Sequence, residues 1–399
     1  MKNKWLNNGL YMALAFTFCF MFRVQQVFVA NAVFMVLFFV FYRKVSIDRI
    51  SAISFLAFIA VVVISTLSYI GALPFGIRNL FQFGYNFQYV FLLLSFGLNN
   101  KKLDRCILLF AVIFSAWIIL AYLFSGTVTE YSFSQLMIIG RTWGKDLISG
   151  WPNETVLPLL YALFLNLFTD KKSKISRVVI AVILYIALIL TTSRTGILGG
   201  GLILAYYILK VTLKLPKEQK KIIFGLAGAV AVFAVVLVLA NDSLRTRLFY
   251  MEDRETNMVV AFDYLRERLM FGHGGNTLDV LINNDPNPMV DRNLGHTHNT
   301  ILELLVRYGV LGLASFLFML WCSFRKIRNP DGIFALVLFW GISMFQIYFR
   351  NFIFLMIIML VVKRYSVKTK EPAIQIDIDI LAEKCLQKIK HLKSRKKEM

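Results

Sequence analysis

Apolar residues run through this chain in long uncharged stretches, and polar residues gather between them. A hydrocarbon core about 30 Å thick needs roughly 20 apolar residues of helix, with a range of about 17–25. Uncharged runs of that order lie near residues 6–22, 27–42, 50–70, 79–98, 106–125, 153–169, 178–193, 196–213, 222–240, 300–323, 332–348 and 351–362. The pattern predicts about twelve transmembrane helices. The stretch from Val178 to Leu213 is far too long for one span at about 1.5 Å of rise per residue. Arg194 and Gly196 interrupt it, so it reads as two spans joined by a tight turn, with Gly196 opening the second.

Two polar segments are long. One, near residues 125–152, contains Arg141, Trp143, Trp151 and Pro152, and its Trp residues suit a membrane interface. The other runs from Asn241 to His298. Its first half, Ser243 to Met270, spaces Leu244, Leu248 and Met251, then Val259, Phe262, Leu265 and Leu269, as a helix would. Its second half is rich in Gly, Asn, Asp and Pro and reads as loop. The chain thus divides into nine helices over 1–240, a large loop over 241–299, three helices over 300–362 and a basic tail over 363–399. The tail alternates at Ile374, Ile376, Ile378 and Ile380, then reads as a short amphipathic helix. It is either a solvated tail or a contact for anionic lipid or a cytosolic partner. No internal repeat is visible.

Composition narrows the class. With 58% hydrophobic residues and a mean hydropathy of +0.65, the chain is neither an ordinary soluble domain nor a disordered one. The first apolar run has no small-residue cleavage site after it, so it reads as a retained span. Cys19 and Cys322 fall in spans, and Cys106 and Cys385 at or beyond the cytoplasmic face, so no disulfide is expected in the outer loops.

The net charge of +21 would suggest nucleic acid if the basic residues were clustered. They punctuate the spans instead. With a cytoplasmic N-terminus, every second loop is basic: Arg43, Lys44 and Arg49; Lys101, Lys102 and Arg105; Lys171 to Arg177; Lys210 to Lys221; Arg325 to Arg328; and the tail. That is the positive-inside bias, with both termini inside and no nucleic-acid partner required. The outer side holds twelve Arg and one Lys: Arg23, Arg78, Arg141, Arg194, Arg245, Arg247, Arg254, Arg266, Arg268, Arg292, Arg307, Arg350 and Lys145. Planar guanidinium grips phosphate or carboxylate in bidentate fashion. An outer Arg set therefore asks for an anionic partner. The competing reading pairs several of them with Glu252, Asp253, Glu255, Asp263 and Glu267; Arg194 has no acid near it in sequence.

Histidine is rare. Only His273, His296, His298 and His391 occur, three of them in the large loop. His298 directly precedes a helix, since Thr300 to Glu303 forms a capping-box pattern before an apolar run. An imidazole there can take a proton from a hydroxyl group near neutral pH, or can simply satisfy loop backbone. His296, His298 and Asp291 offer a weak metal alternative, without Cys or helical spacing to support it, and no metal is expected. Thr192-Ser193-Arg194-Thr195-Gly196 forms the turn between two spans, where small residues admit a bulky head group. Gly196, Gly199, Gly200 and Gly201 suit close helix packing.

Two blocks carry a family likeness. The first is Thr192-Ser193-Arg194-Thr195-Gly196. The second is His298-Asn299 with Leu302, Glu303, Gly309 and Gly312, preceded by the turn Phe271-Gly272-His273-Gly274. In their order, spacing and topology they resemble the O-antigen polymerase and O-antigen ligase superfamily, over about the second half of the chain. The resemblance implies an all-α polytopic membrane protein of GT-C-like glycosyltransferase type in a bacterial plasma membrane, with its active site on the outer face. It implies inverting transfer from an undecaprenyl-pyrophosphate-linked glycan donor to an acceptor sugar hydroxyl. His298 would be the catalytic base, with Arg194 and Arg254 on the donor pyrophosphate. Arg141, Arg266, Asn299, His296 and His273 are further substrate-binding candidates. This chain has His at both 296 and 298, so which one acts is open. The sequence has no glycine-rich phosphate loop, and the pyrophosphate needs no metal if Arg neutralises it, so no cofactor is expected.

Three functions compete. One is polymerisation of lipid-linked repeat units into capsular polysaccharide, exopolysaccharide or O-antigen, with a flippase and a chain-length regulator as candidate partners. The second is ligation of finished glycan to another acceptor. The third is a transporter or flippase, which tends to carry midplane charges and repeated halves.

Overall fold

The computed structural model of the chain describes residues 2–20, 44–69, 100–124, 152–168, 173–191, 193–240, 254–274, 299–325, 327–343, 352–365, 373–377 and residue 387. The elements there are α1 (Lys2–Phe20), β1 (Lys44–Asp48), α2 (Arg49–Tyr69), α3 (Asn100–Phe124), α4 (Pro152–Phe168), α5 (Lys174–Leu190) and α6 (Arg194–Thr212). They continue with α7 (Lys217–Ala240), α8 (Arg254–Glu267), α9 (Thr300–Phe324), α10 (Pro330–Ser343), α11 (Phe352–Tyr365) and β2 (Ala373–Asp377). Helices occupy ten of the twelve predicted stretches. The stretches near 27–42 and 79–98 lie outside the described residues. Among the described residues, three stretches are long and apolar enough to cross a membrane: Lys101–Leu120, Arg194–Thr212 and Thr300–Cys322.

Helix α4 is the hub. Every residue from Val156 to Leu167 is buried, including Asn166, so this stretch presents no face to solvent or lipid. It is packed by α1, α3, α5, α6 and α11. The peripheral helices behave oppositely. Val178, Val179 and Val182 of α5 and Leu198 and Leu202 of α6 are exposed, as expected of side chains that meet acyl chains.

The basic segments meet at one end of this bundle. Arg364 at the end of α11 is ion-paired with Asp104 at the start of α3, and the Tyr161 hydroxyl of α4 donates to the same carboxylate at 3.0 Å. Lys210 near the end of α6 donates to Asp331 at the start of α10 at 2.7 Å. Lys102 donates to Asn8 of α1 at 3.4 Å. Asn166 donates to the Arg177 carbonyl at 2.7 Å. Each contact joins segments that the charge pattern assigns to one side.

The sheet is the departure from an all-helical chain. β1 and β2 pair antiparallel, with Val45 opposite Ile376 and Ile47 opposite Ile374. The solvated-tail reading therefore fails for residues 373–377. Judged alone the tail segment is a stray alternating run. The short segment Lys44–Asp48 also alternates β-branched residues, and two such runs complete each other's backbone hydrogen bonds. The amphipathic continuation of the tail lies almost wholly outside the described residues.

Candidate active site

Arg194 is the first residue of α6, so the helix opens two residues earlier than Gly196. Ser193 caps it, its hydroxyl accepting from the Gly196 amide at 3.4 Å. Thr191 closes α5 by donating to the Leu188 carbonyl at 2.7 Å. The hydroxyl-rich sequence of the turn thus satisfies the ends of both helices. Arg194 is half-buried at the dipole-positive start of α6. The glycines behind it are packing surfaces. A Cβ on Gly196 would stand 2.6 Å from the Val156 side chain, one on Gly199 2.9 Å from Ile342, and one on Gly200 2.9 Å from Tyr185. Gly201 has 3.6 Å to its nearest neighbour and is not needed for contact.

Asn299 is the N-cap of α9. Its side-chain oxygen accepts from the amides of Ile301 at 2.9 Å and Leu302 at 3.0 Å. The capping box expected of Thr300 and Glu303 does not form. Asn299 takes the cap, the Thr300 hydroxyl donates to the Ser343 carbonyl at 2.6 Å, and Glu303 pairs with Arg307. The end of α10 therefore touches both motif-bearing helices: Ile342 lies against Gly199 of α6 and Ser343 holds Thr300 of α9. The starts of α6 and α9, with Arg194 and Asn299, share one end of the bundle, opposite the basic segments.

Helix α9 is broken. Gly309 has φ 68 and ψ −171, so the carbonyls before it lose their helical donors. The turn after α8 replaces them. His273 and Gly274 donate their amides to the carbonyls of Val306 (2.9 Å) and Arg307 (2.7 Å). Val310 and Leu311 donate in return to Leu269 (2.9 Å) and Met270 (3.2 Å). Backbone meets backbone so closely that a Cβ on Gly272 would stand 2.5 Å from the Arg307 carbonyl carbon, and one on Gly309 2.2 Å from the Met270 oxygen. From α2, the Ser65 hydroxyl donates to the Arg307 carbonyl at 2.9 Å and also reaches that of Phe271.

The expected site residues divide. His273 is buried, and its Nε2 lies 2.6 Å from the Tyr264 carbonyl, so it ties the turn to α8. Arg266 is exposed and lies 3.5 Å from Asp263, the local pairing that competed with an anionic ligand. Arg254 opens α8. Arg141, His296 and His298 lie outside the described residues. Arg307 leaves the outer anion-binding set: it is wholly buried and ion-paired with Glu303, itself wholly buried. Their i,i+4 spacing within an apolar run was the available sequence signal. Ser65, 242 residues from Arg307, had none.

Residues 179–317 match the family model described as O-antigen ligase. The match supports the O-antigen polymerase and ligase superfamily for this segment. It takes in α6 with Arg194, all of α8, the glycine turn and the first part of α9, about a third of the 399 residues. Members of this family are membrane glycosyltransferase-type enzymes. No curated protein matches the chain.

Proposed function

We infer that the protein is a polymerase that joins undecaprenyl-pyrophosphate-linked oligosaccharide repeat units by inverting glycosyl transfer. The reaction runs on the outer face of a bacterial plasma membrane, crossed about twelve times, with both termini in the cytoplasm. The observation that supports glycosyl transfer is the match to the O-antigen ligase family model, which spans both motif blocks. The contacts of α10 with Gly199 and Thr300 agree with one shared site for those blocks.

In this mechanism Arg194, at the start of α6, binds the donor pyrophosphate and neutralises the charge that develops as it leaves. Arg254 and Arg141 add to that binding. His298 takes the proton from the attacking acceptor hydroxyl, and His296 is the alternative base. Bond cleavage to the lipid pyrophosphate supplies the driving force, so no nucleotide is consumed. The product is a capsular or exopolysaccharide chain or O-antigen, handed on beside a flippase and a chain-length regulator.

Ligation of finished glycan to another acceptor is the second reading, favoured by the description of the matched family. Purified protein supplied with lipid-linked repeat units alone separates the two. A ladder of longer glycans supports the polymerase. Single transfer, seen only after another acceptor is added, supports the ligase.

A further inference from the structure

The break at Gly309 leaves Thr300–Tyr308 as a half-helix of nine residues, cut off from the rest of α9. Continuity with a long membrane helix therefore does not fix its position. Side attachments do. Its first residue is tied to α10 through Thr300 and Ser343. Its last turn is tied to the glycine turn through Val306 and Arg307, and to α2 through Ser65. Leu302 and Val306 pack with Val260, Ala261 and Leu265 of α8. Within it lies the Glu303–Arg307 pair, both residues wholly buried.

A buried ion pair is a poor source of stability, because desolvation offsets most of its attraction. It is, however, strongly geometric: the two charges tolerate little relative movement without large cost. The pair spans one helical turn, and the backbone of Arg307 is also the point where Ser65 and Gly274 attach. At the other end of the same half-helix the Asn299 cap directly follows His298 in the chain.

We propose that Ser65 and the Glu303–Arg307 pair are positioning residues. Ser65 ties the half-helix Thr300–Tyr308 to α2 and the Phe271–Gly274 turn, the ion pair stiffens it from within, and together they fix the Asn299 cap, the residue that follows His298 in the chain. The inference rests on the glycosyl-transfer reading with His298 as base. It assigns Ser65, far away in sequence, and Arg307 a part in the reaction without contact to substrate.

The test uses full-length protein in lipid nanodiscs. Turnover is measured with lipid-linked glycan extracted from cells lacking the gene, and binding with undecaprenyl pyrophosphate. Ser65→Ala, which leaves the ion pair intact, should lower kcat by about ten- to a hundredfold, the scale of a sub-ångström to 1 Å misplacement. Undecaprenyl pyrophosphate binding and the thermal midpoint should hold within twofold and a few degrees, and Ser65→Thr should recover most of kcat. Glu303→Gln should show the same kcat loss in whatever fraction folds. Unchanged kcat in Ser65→Ala, or kcat and binding falling together with the folded fraction, overturns the inference. His298→Ala is run beside them. If it stays active, the functional reading itself has failed; if it is dead while Ser65→Ala is fully active, only the positioning role has.

Discussion

Arg194 and Arg307 belong to one outward set by sequence, and the structure separates them. Arg307 spends its charge on Glu303 inside the protein. Arg194 stands half-buried where α6 begins, beside hydroxyls that are occupied in capping. Arg194→Ala should therefore weaken undecaprenyl pyrophosphate binding by about 10- to 100-fold, the worth of a charge-assisted hydrogen bond to phosphate. Arg194→Lys should recover only part of it, since a point charge cannot reproduce a bidentate grip; equilibrium binding to the protein in nanodiscs reads both. His298→Ala should do the reverse, with turnover falling by about 10²–10⁴-fold and binding nearly unchanged. At this scale the sequence announced the rare residue types but not their surroundings. Thr300 and Glu303 looked like a capping box because both chemistries were in place. Their real partners, Ser343 and Arg307, depend on tertiary packing and on a helix break that spacing alone does not reveal.

Helices were legible where apolar runs are long, and ten of the predicted stretches coincide with helices because burial demand and length agree there. The break in α9 was not legible. Gly309 sits in an apolar run, and only the approaching Met270–Gly274 backbone explains its left-handed φ. Gly309→Ala should destabilise the protein by more than the roughly 1–3 kcal/mol of a strained φ, because its Cβ also meets the Met270 carbonyl. The glycines of α6 supply an internal comparison. Gly200→Ala should lower the thermal midpoint in detergent, since its Cβ would crowd Tyr185 and Leu188, whereas Gly201→Ala should leave it within about a degree or raise it slightly. The strand pair was missed because β1 and β2 are more than 320 residues apart, and neither five-residue segment is persuasive alone.

At the scale of the molecule, the described residues arrange polarity by end. Asp104, Arg364, Lys210, Asp331 and the strand pair lie at one end, and the starts of α6 and α9 at the other. The charge division along the chain foresaw this separation, because lysine-rich loops and arginine-bearing loops alternate from span to span. It predicts a labelling pattern in a cysteine-free background. An impermeant maleimide applied to intact cells should modify Glu267→Cys and spare Ser173→Cys until the membrane is opened. The reverse pattern would invert the topology and remove the outer active site. Glycosyl transfer from a lipid-pyrophosphate donor at a site built on Arg194 and His298 is the reaction proposed for the protein. Its most direct measurement is glycan transfer by the purified protein from lipid-linked repeat units, with the Arg194→Ala/His298→Ala double variant alongside. Longer glycans are expected from the unaltered protein and none above background from the double variant. Chain growth that survives both substitutions would contradict this reading and return the molecule to the transporter class.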